Sequence, residues 1–511
     1  IEFMMPGDNV SGDQGFQVDC GLKIAGDSSR GHAFTPKHHF LASFKSDFGP
    51  SKLHFHLFPD TEENDFDTLE FRACSTDSWP VQNGYVHQGE IRWETRRATY
   101  LRDQMMRDTL RDLGQEVSHG RYVHLYVDGL YWGLYNFCER MGSGWASEHF
   151  GGSKDDYDVL KDYAEVEDGN LTAWNQFMTE VATLPATDAA ANTMYQRVLG
   201  NNPDGTRNPA LPVLLDAGNL IDYMAAHIYA GSEDWPNHNW WGSRRRDDQS
   251  EGWRFHPWDQ EISNISLTRT LCIFGQRFEE VNGGSSPAIV YDRLRHSPQF
   301  RARFQRRLEA LMFGGGPLTA SGCAARWNKR QTEIDQAIVA ESARWGDVRK
   351  EPPYTRTDWL TEMAWQQSFW AQNHPLAIAR FQRVNLYPGD ADSDGLPDTW
   401  ELRHGLDPSV NDAALDPDSD GLTNMTEFLT DTDPRNVASR FTAAAAVLNG
   451  SLAITFTAAE GRSYAIQRSP DIGTWTTLAT LPAAALERPV EYTPPSAAGT
   501  RFFYRVITPA P

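Results

Sequence analysis

The stretch GSEDWPNHNWW (231–241) sets Asp234 and Asn239 five residues apart among three tryptophans, and FHPWDQE follows at 255–261 with Asp259. An Asp that orients an acceptor hydroxyl, an Asn five residues on that holds a metal, and a later Asp that holds the phosphate-bridging metal form a phosphoryl-transfer set. The same stretch also offers Glu233 or Asp234 with Asp259 or Glu261 as a carboxylate pair for glycosidic-bond hydrolysis. Spacing alone does not choose between them. A D-x4-N pair is common by chance, and the H-R-D, D-F-G and G-x-G-x-x-G strings are absent.

A second chemistry is more local. DADSDGLPDTWE (390–401) and DPDSDGLTNMTE (416–427) are one twelve-residue unit repeated 26 residues apart. Both fit D-x-[DN]-x-[DN]-G-x5-E. In the first, Asp390, Asp392 and Asp394 alternate around one point and Gly395 permits the sharp turn. Leu396 offers its carbonyl, Asp398 reaches directly or through water, and Glu401 closes with two oxygens. The second set is Asp416, Asp418, Asp420, Gly421, Leu422, Asn424 and Glu427. Calcium takes six to eight oxygens, which each unit supplies. No helix is expected before the first loop, so this is not an EF-hand pair. The segment resembles bacterial thrombospondin type 3 repeats, with dockerins second. That resemblance implies a stiff, calcium-folded spacer over 389–436. Millimolar calcium outside cells points to a secreted or cell-surface protein.

The rest of the chain must position these residues. Its 511 residues suggest two to four domains. The net charge is −22, and half of it sits in 389–436, where thirteen acids face only Arg403 and Arg435. Such a balance excludes a nucleic-acid partner. No apolar run is long enough for a membrane span. The start, IEFMM, carries no leader, and a signal peptide preceding it is expected. The five scattered cysteines contain no CxxC pair. His54 and His56 share a strand face and offer two metal ligands without a visible third.

Residues 1–137 read as strands and loops around one helix at 98–114, and DG in RYVHLYVDGLYWGLYNF (121–137) marks a hairpin. Residues 142–388 are mainly helical, with a loop at 200–212, a strand before Asp259 and a boundary at Pro388. Residues 437–511 form a small all-β sandwich of the fibronectin III-like kind. Tyr464, Trp475 and Tyr504 are expected in its core, and it suits a carbohydrate or matrix contact.

SSRGHAFTPKHHFLASF (28–44), FDTLEFRA (66–73), RYVHLYVDGLYWGLYNFCER (121–140), GSEDWPNHNWW and WRFHPWDQE (253–261) together resemble the spore coat protein H (CotH) kinase family, over roughly 20–388. The resemblance implies an α+β, atypical protein-kinase-like bilobal fold, with a β-rich lobe to about 137 and a helical lobe from about 142. It implies an Mg2+- or Mn2+-dependent transfer of the ATP γ-phosphoryl to a protein Ser or Thr hydroxyl. Asp234 becomes the catalytic base, and Asn239 and Asp259 the magnesium ligands. Lys37 and Arg30 become phosphate-binding cations, with Lys37 preferred as the strand lysine and Asp103 or Gln104 as its helical partner. Glu139 falls at the hinge, as an adenine contact or a structural ion pair. The five tryptophans near the site are expected to be packing. The family's fungal surface members, which bind host receptors, make ligand binding without turnover the alternative.

Overall fold

The computed structural model of the chain describes residues 1–5, 15–84, 86–87, 90–267, 285–386, 389–448, 451–484, 487–495 and 502–509. The expected boundary at Pro388 and the cysteine at 272 lie outside them. The other four cysteines are free thiols.

An antiparallel sheet carries β1 (Gly21–Ala25), β2 (His39–Ser43), β3 (Thr68–Arg72), β4 (Gly120–Val127) and β5 (Leu130–Glu139), in the order β4–β5–β3–β2–β1. The β4–β5 hairpin turns at Asp128 and Gly129, with φ of 50° and 76°. Positive φ at both central residues is what a two-residue hairpin requires. Alternation along β3 sends Leu69 and Phe71 to an apolar layer with Phe44, Phe58 and Phe137. Glu70 and Arg72 therefore face the other way and are buried, beside Asn136 of β5. The second face of this sheet is thus polar and closed to water.

Helix α1 (Arg102–Asp112) covers that face. It is shorter than the expected 98–114, because the Asp77 carboxylate accepts from Leu101 N and Arg102 N at 3.0 and 3.1 Å and sets its start. At its other end Gly114 has φ of 90°. A Cβ at Gly114 would also stand 2.4 Å from Ala483 O, so glycine is needed there twice over. The helix is buried almost all round, including Asp103, Gln104, Arg107 and Asp108. Each finds a partner: Arg107 donates to Asp103 Oδ2 at 3.0 Å, and Arg330 donates to Asp108 at 2.6 and 2.8 Å.

The central region holds α2 (Ser143–Phe150), α3 (Thr172–Glu180), α4 (Asp188–Val198), α5 (Ala217–Ala230), α6 (Pro287–Leu294), α7 (Pro298–Met312), α8 (Ala320–Ile334), α9 (Ala337–Trp345) and α10 (Arg356–Arg383). Among them lies a four-stranded antiparallel sheet, β6 (Tyr157–Lys161), β7 (Glu165–Asp168), β8 (Trp240–Arg245) and β9 (Arg254–Pro257), ordered β7–β6–β8–β9. Of these strands only β9 is expected from the sequence.

The calcium-type segment carries two short helices, α11 (Asp398–Arg403) and α12 (Asn424–Thr430). It is not a free-standing spacer. Leu396, Trp400, Leu406 and Phe428 join the same buried cluster as Phe304 of α7 and Phe381 of α10, and Arg403 pairs with Glu309 at 2.7 Å. The C-terminal residues form two three-stranded antiparallel sheets: Ala444–Leu448, Ser451–Ala458 and Arg488–Tyr492 in one, Tyr464–Ser469, Thr476–Leu481 and Phe503–Ile507 in the other. Ile454, Phe456, Tyr464 and Ile466 are buried between them, with Tyr504 packed alongside. Trp475 instead lies under the Arg505 guanidinium, 4.2 Å away. The whole is an α+β protein.

Candidate functional site

Asp259 follows β9 with a left-handed φ of 53°, and a single 3-10 turn, Gln260–Ile262, comes next. Non-glycine residues adopt that conformation only when their surroundings hold them there. Here Gln260 N donates to Asp103 Oδ1 of α1 at 2.9 Å. The Asp259 carboxylate is contacted by the Arg72 guanidinium. Arg72 is the hub of the region. It stands 3.2 Å from Asp103, 3.0 Å from Glu261 and 3.7 Å from Glu70, and Trp258 stacks 4.5 Å from its guanidinium carbon. One cation thus meets four acids. Burial, followed by the neighbouring Asp259 charge, pushes the Glu261 carboxyl well above its ordinary range. Burial raises Glu70 as well, against the pull of Arg72. The pocket holds more acid than its own cation neutralises.

The loop from Gly231 to Asn239 is fastened to this turn. Arg380 donates to Ile228 O and Tyr229 O at 3.2 and 3.0 Å, capping the end of α5. Glu233 N then donates to Ile262 O, and Asn264 N to Ala230 O. Asp234 and Asn239 both take left-handed φ, 61° and 63°. Asn239 Nδ2 donates to Asp234 O at 2.8 Å and to Oδ2 at 3.3 Å, while Gln260 Nε2 donates to Asn239 O at 3.2 Å. Asn239 N donates to Asp162 Oδ1 at 2.6 Å. The fold therefore brings Asp234, Asn239 and Asp259 into one hydrogen-bonded unit and adds Asp162, which sequence reasoning missed. Burial raises the Asp162 carboxyl, with Asp259 adding to the rise. Burial would raise Asp234 too, yet His238, 3.1 Å away, and Arg92 hold it down at about 2. Asn237 only shapes the loop, its carbonyl accepting from Tyr163 N at 2.8 Å.

The tryptophans are packing. Trp235, Trp240, Trp241 and Trp253 are fully buried, and Trp235 donates to the Tyr223 hydroxyl at 2.7 Å. Trp258 lies between Arg72 and Arg140, the latter 5.0 Å away.

Lys37 is not brought to this site. Its Nζ is fully buried, 2.6 Å from Glu341 Oε1 of α9 and 2.6 Å from Leu134 O. Beyond Asn136 the edge of β5 runs past the end of β3, so the polar groups of Leu134 need other partners. Lys37 takes the carbonyl, and Glu341 Oε2 accepts from the N–H at 2.6 Å. Arg72 is the cation that pairs with Asp103 instead. Its sign in the sequence is weak: an arginine ending an otherwise buried strand, TLEFR. Arg30 is exposed at the end of a 3-10 turn, Ser28–Arg30. Glu139 is a structural ion pair, accepting from His119 N at 2.7 Å and facing His149 Nε2 at 3.0 Å. His54 and His56 bond Asp65 and Asn64.

A cavity of about 560 Å3 opens beside the Glu139–Met141 segment, between the five-stranded sheet and β7. Thr68, Arg140, Trp145, Lys154 and Glu167 are among its walls. Arg140 links it to the acid hub, 3.9 Å from Glu70 and 3.6 Å from Glu167.

In the two acidic loops Ser393 and Ser419 share a φ of 63°, and Gly395 and Gly421 have 92° and 95°. The repeat in sequence is a repeat in backbone. Asp390, Asp392 and Asp394 converge, as do Asp416, Asp418 and Asp420. Glu401 is fully buried with neither carboxylate oxygen hydrogen-bonded, and Glu427 leaves Oε2 unbonded. Burial, then the neighbouring aspartates, raise Glu401 to about 8 and Glu427 to about 7. Orphaned buried oxygens of this kind fit a hard cation. The ninth position of each loop is hydrogen-bonded within the segment as well. Asp398 Oδ1 accepts from Ala391 N at 2.7 Å, bracing the loop. Asn424 Nδ2 donates to Asp412 at 2.9 and 3.0 Å, while its Oδ1 is buried and unbonded, as the expected ligand oxygen would be. Asp412, outside the twelve-residue pattern, converges with Asp394 and Glu401.

A family model described as CotH kinase protein matches residues 94–375, more than half of the chain. The chain belongs to the CotH kinase family. The matched span includes Asp103, Asp162, Asp234, Asn239 and Asp259, while Arg72 precedes it. No curated protein matches the chain. No helix among the described residues is long and apolar enough to cross a membrane.

Proposed function

We propose that this protein is a secreted or cell-surface phosphotransferase that moves the γ-phosphoryl of ATP to a protein Ser or Thr hydroxyl with magnesium. The reading rests above all on the Arg72–Asp103 pair. A cation on the sheet, paired with an acid on the helix behind it, meets the metal-type Asp259 beside an Asp–Asn loop. That is the working layout of a kinase-like bilobal fold. The cleft at the hinge suits a nucleotide, whose phosphates would lie toward Arg72 and Arg140. Magnesium keeps several waters and needs few protein ligands, so Asp259 and Asn239, with Asp162 near, suffice. Bound there, it neutralises charge on the phosphates. Asp234 orients the acceptor hydroxyl and takes its proton. His238 and Arg92 keep Asp234 ionised for that task.

The acidic loops hold calcium in this reading, through Asp390, Asp392, Asp394, Leu396, Glu401 and Asp412, and through Asp416, Asp418, Asp420, Leu422, Asn424 and Glu427. Calcium-filled loops suit an extracellular setting. The C-terminal sandwich then serves as a fibronectin III-like binding module for carbohydrate or matrix.

One observation favours a second reading. Arg72 already occupies the Asp259 carboxylate, as it would in a kinase-like fold that binds a surface ligand without turnover. Glycosidic hydrolysis is disfavoured, since Glu261 is tied to Arg72 and Glu233 lies 3.8 Å from Arg92. Transfer of labelled γ-phosphate to a protein panel, with Asp259→Ala as control, decides. Absence of both transfer and magnesium-dependent ATP binding would sink the kinase proposal.

A further inference from the structure

Beside Glu139, Glu116, His119 and His149 each present one ligand atom, all within 4.8 Å of one another. They come from three places: the loop after α1, the residue before β4, and the last turn of α2. Their burial is graded. The His119 and His149 side chains are 5 % and 3 % exposed, whereas that of Glu116 is 52 % exposed. The imidazoles are thus held inside the protein and the carboxylate stands at the mouth, where water can complete a coordination shell.

A carboxylate stands behind each ring, hydrogen-bonded to His149 and within ion-pair distance of His119. Glu139 Oε1 lies 3.0 Å from His149 Nε2, which leaves His149 Nδ1 turned toward Glu116, 3.5 Å away. Asp60 Oδ1 lies 3.1 Å from His119 Nδ1 and is itself paired with Arg111. The two rings stack with centroids 5.8 Å apart. Metal-ligating histidines characteristically have a carboxylate behind the ring, which fixes its orientation and raises its basicity. Hard calcium prefers all-oxygen sites, whereas two imidazoles and one carboxylate suit zinc and its neighbours.

We propose that Glu116, His119 and His149 form a binding site for a divalent transition metal of the zinc class, with Glu139 and Asp60 as the orienting carboxylates. The site joins the end of β5 to α2 and to the loop after α1, so an ion there braces the hinge. It stands apart from Asp259 and from the two acidic loops, and it holds whether or not the chain transfers phosphoryl groups.

Titrating the full chain with zinc against a chromophoric chelator tests this, in saturating calcium and magnesium so that the oxygen-only sites are filled. The expected result is one tight equivalent, and a tetrahedral visible spectrum when cobalt replaces zinc. Glu116→Gln changes the most exposed ligand and disturbs the fold least. It and His119→Gln should each lose the tight equivalent. Asp60→Asn keeps all three ligands and should weaken affinity about 10–100-fold. No stoichiometric zinc under these conditions would overturn the proposal and leave a plain histidine–carboxylate clamp. So would unchanged binding in Glu116→Gln, since that places the zinc elsewhere.

Discussion

Two acidic regions of this molecule handle their charge in opposite ways. Around Asp259 and Asp234 most acids meet a guanidinium or imidazole of the same fold, Arg72, Arg92, Arg107 or His238, and Asp162 is held by Asn239 N. In the loops at 390–401 and 416–427 the acids face one another, and the buried oxygens of Glu401 lack partners. Among the described residues the one ion pair to these loops is that of Arg440 with Asp420, at 3.2 Å. The first region carries its own counter-charges and can hold its shape alone. The second leaves buried carboxylate oxygens without hydrogen bonds, a donor set that fits a hard cation. Function and folding are therefore expected to depend on different ions.

The sharpest way to break this contrast is Asp259→Ala. It should cut phosphoryl transfer about 1000-fold or more and leave the thermal midpoint in calcium nearly unchanged, as radiolabel incorporation and calorimetry would show. A large fall in stability instead would make Asp259 a structural acid. Arg72→Ala comes next. Removing the hub cation strands Glu261 and leaves Asp103 only Arg107 and Glu70 only the more distant Arg140, at a cost of about 3–5 kcal/mol in denaturant titration. A change under about 1 kcal/mol would mean that the four acids do not depend on it.

Chelating calcium should cost about 2.7 kcal/mol per site when calcium had stood at about 100 times its dissociation constant. The pH dependence of the calcium-free protein follows in sign. Glu401 and Glu427 are raised in the fold from 4.5 to about 8 and about 7. Their contribution is fully present below pH 4.5 and is lost as pH rises through 7 and 8. Melting at a series of pH values should show this loss without calcium and little of it with calcium. Asp412→Asn and Asp398→Asn are the finest test. The first should weaken calcium binding about 10-fold, and the second less than about 3-fold, by calorimetric titration. The reverse order would restore Asp398 as the ligand.

Much of this was legible along the chain. The DG hairpin, the strand before Asp259, α5 and the two loops all depend on residues within about a dozen positions of one another, and local pattern reports local geometry. The strands β6, β7 and β8 were not foreseen because they are short and lie among helices. The breadth of α1's burial was not foreseen either. A helix carrying Asp103, Gln104, Arg107 and Asp108 reads as exposed on one face until Asn136, Arg72 and Arg330 arrive from elsewhere.

The sequence by itself marked out the two acidic loops and picked Asp234, Asn239 and Asp259 as candidates, since each rests on spacing or on a contiguous string. Tertiary structure alone decided which cation serves them. Arg72 and Asp259 are 187 residues apart, and Lys37 and Glu341 are 304 apart. A lysine on what reads as a strand-like run, though the strand itself begins at His39, looks equally able to join either partner. The unpaired edge of β5 drew Lys37 to the α9 seam, because buried backbone polar groups there needed it. The alternation of β3 turned Arg72 inward to the acids, where a buried charge must find its counterpart.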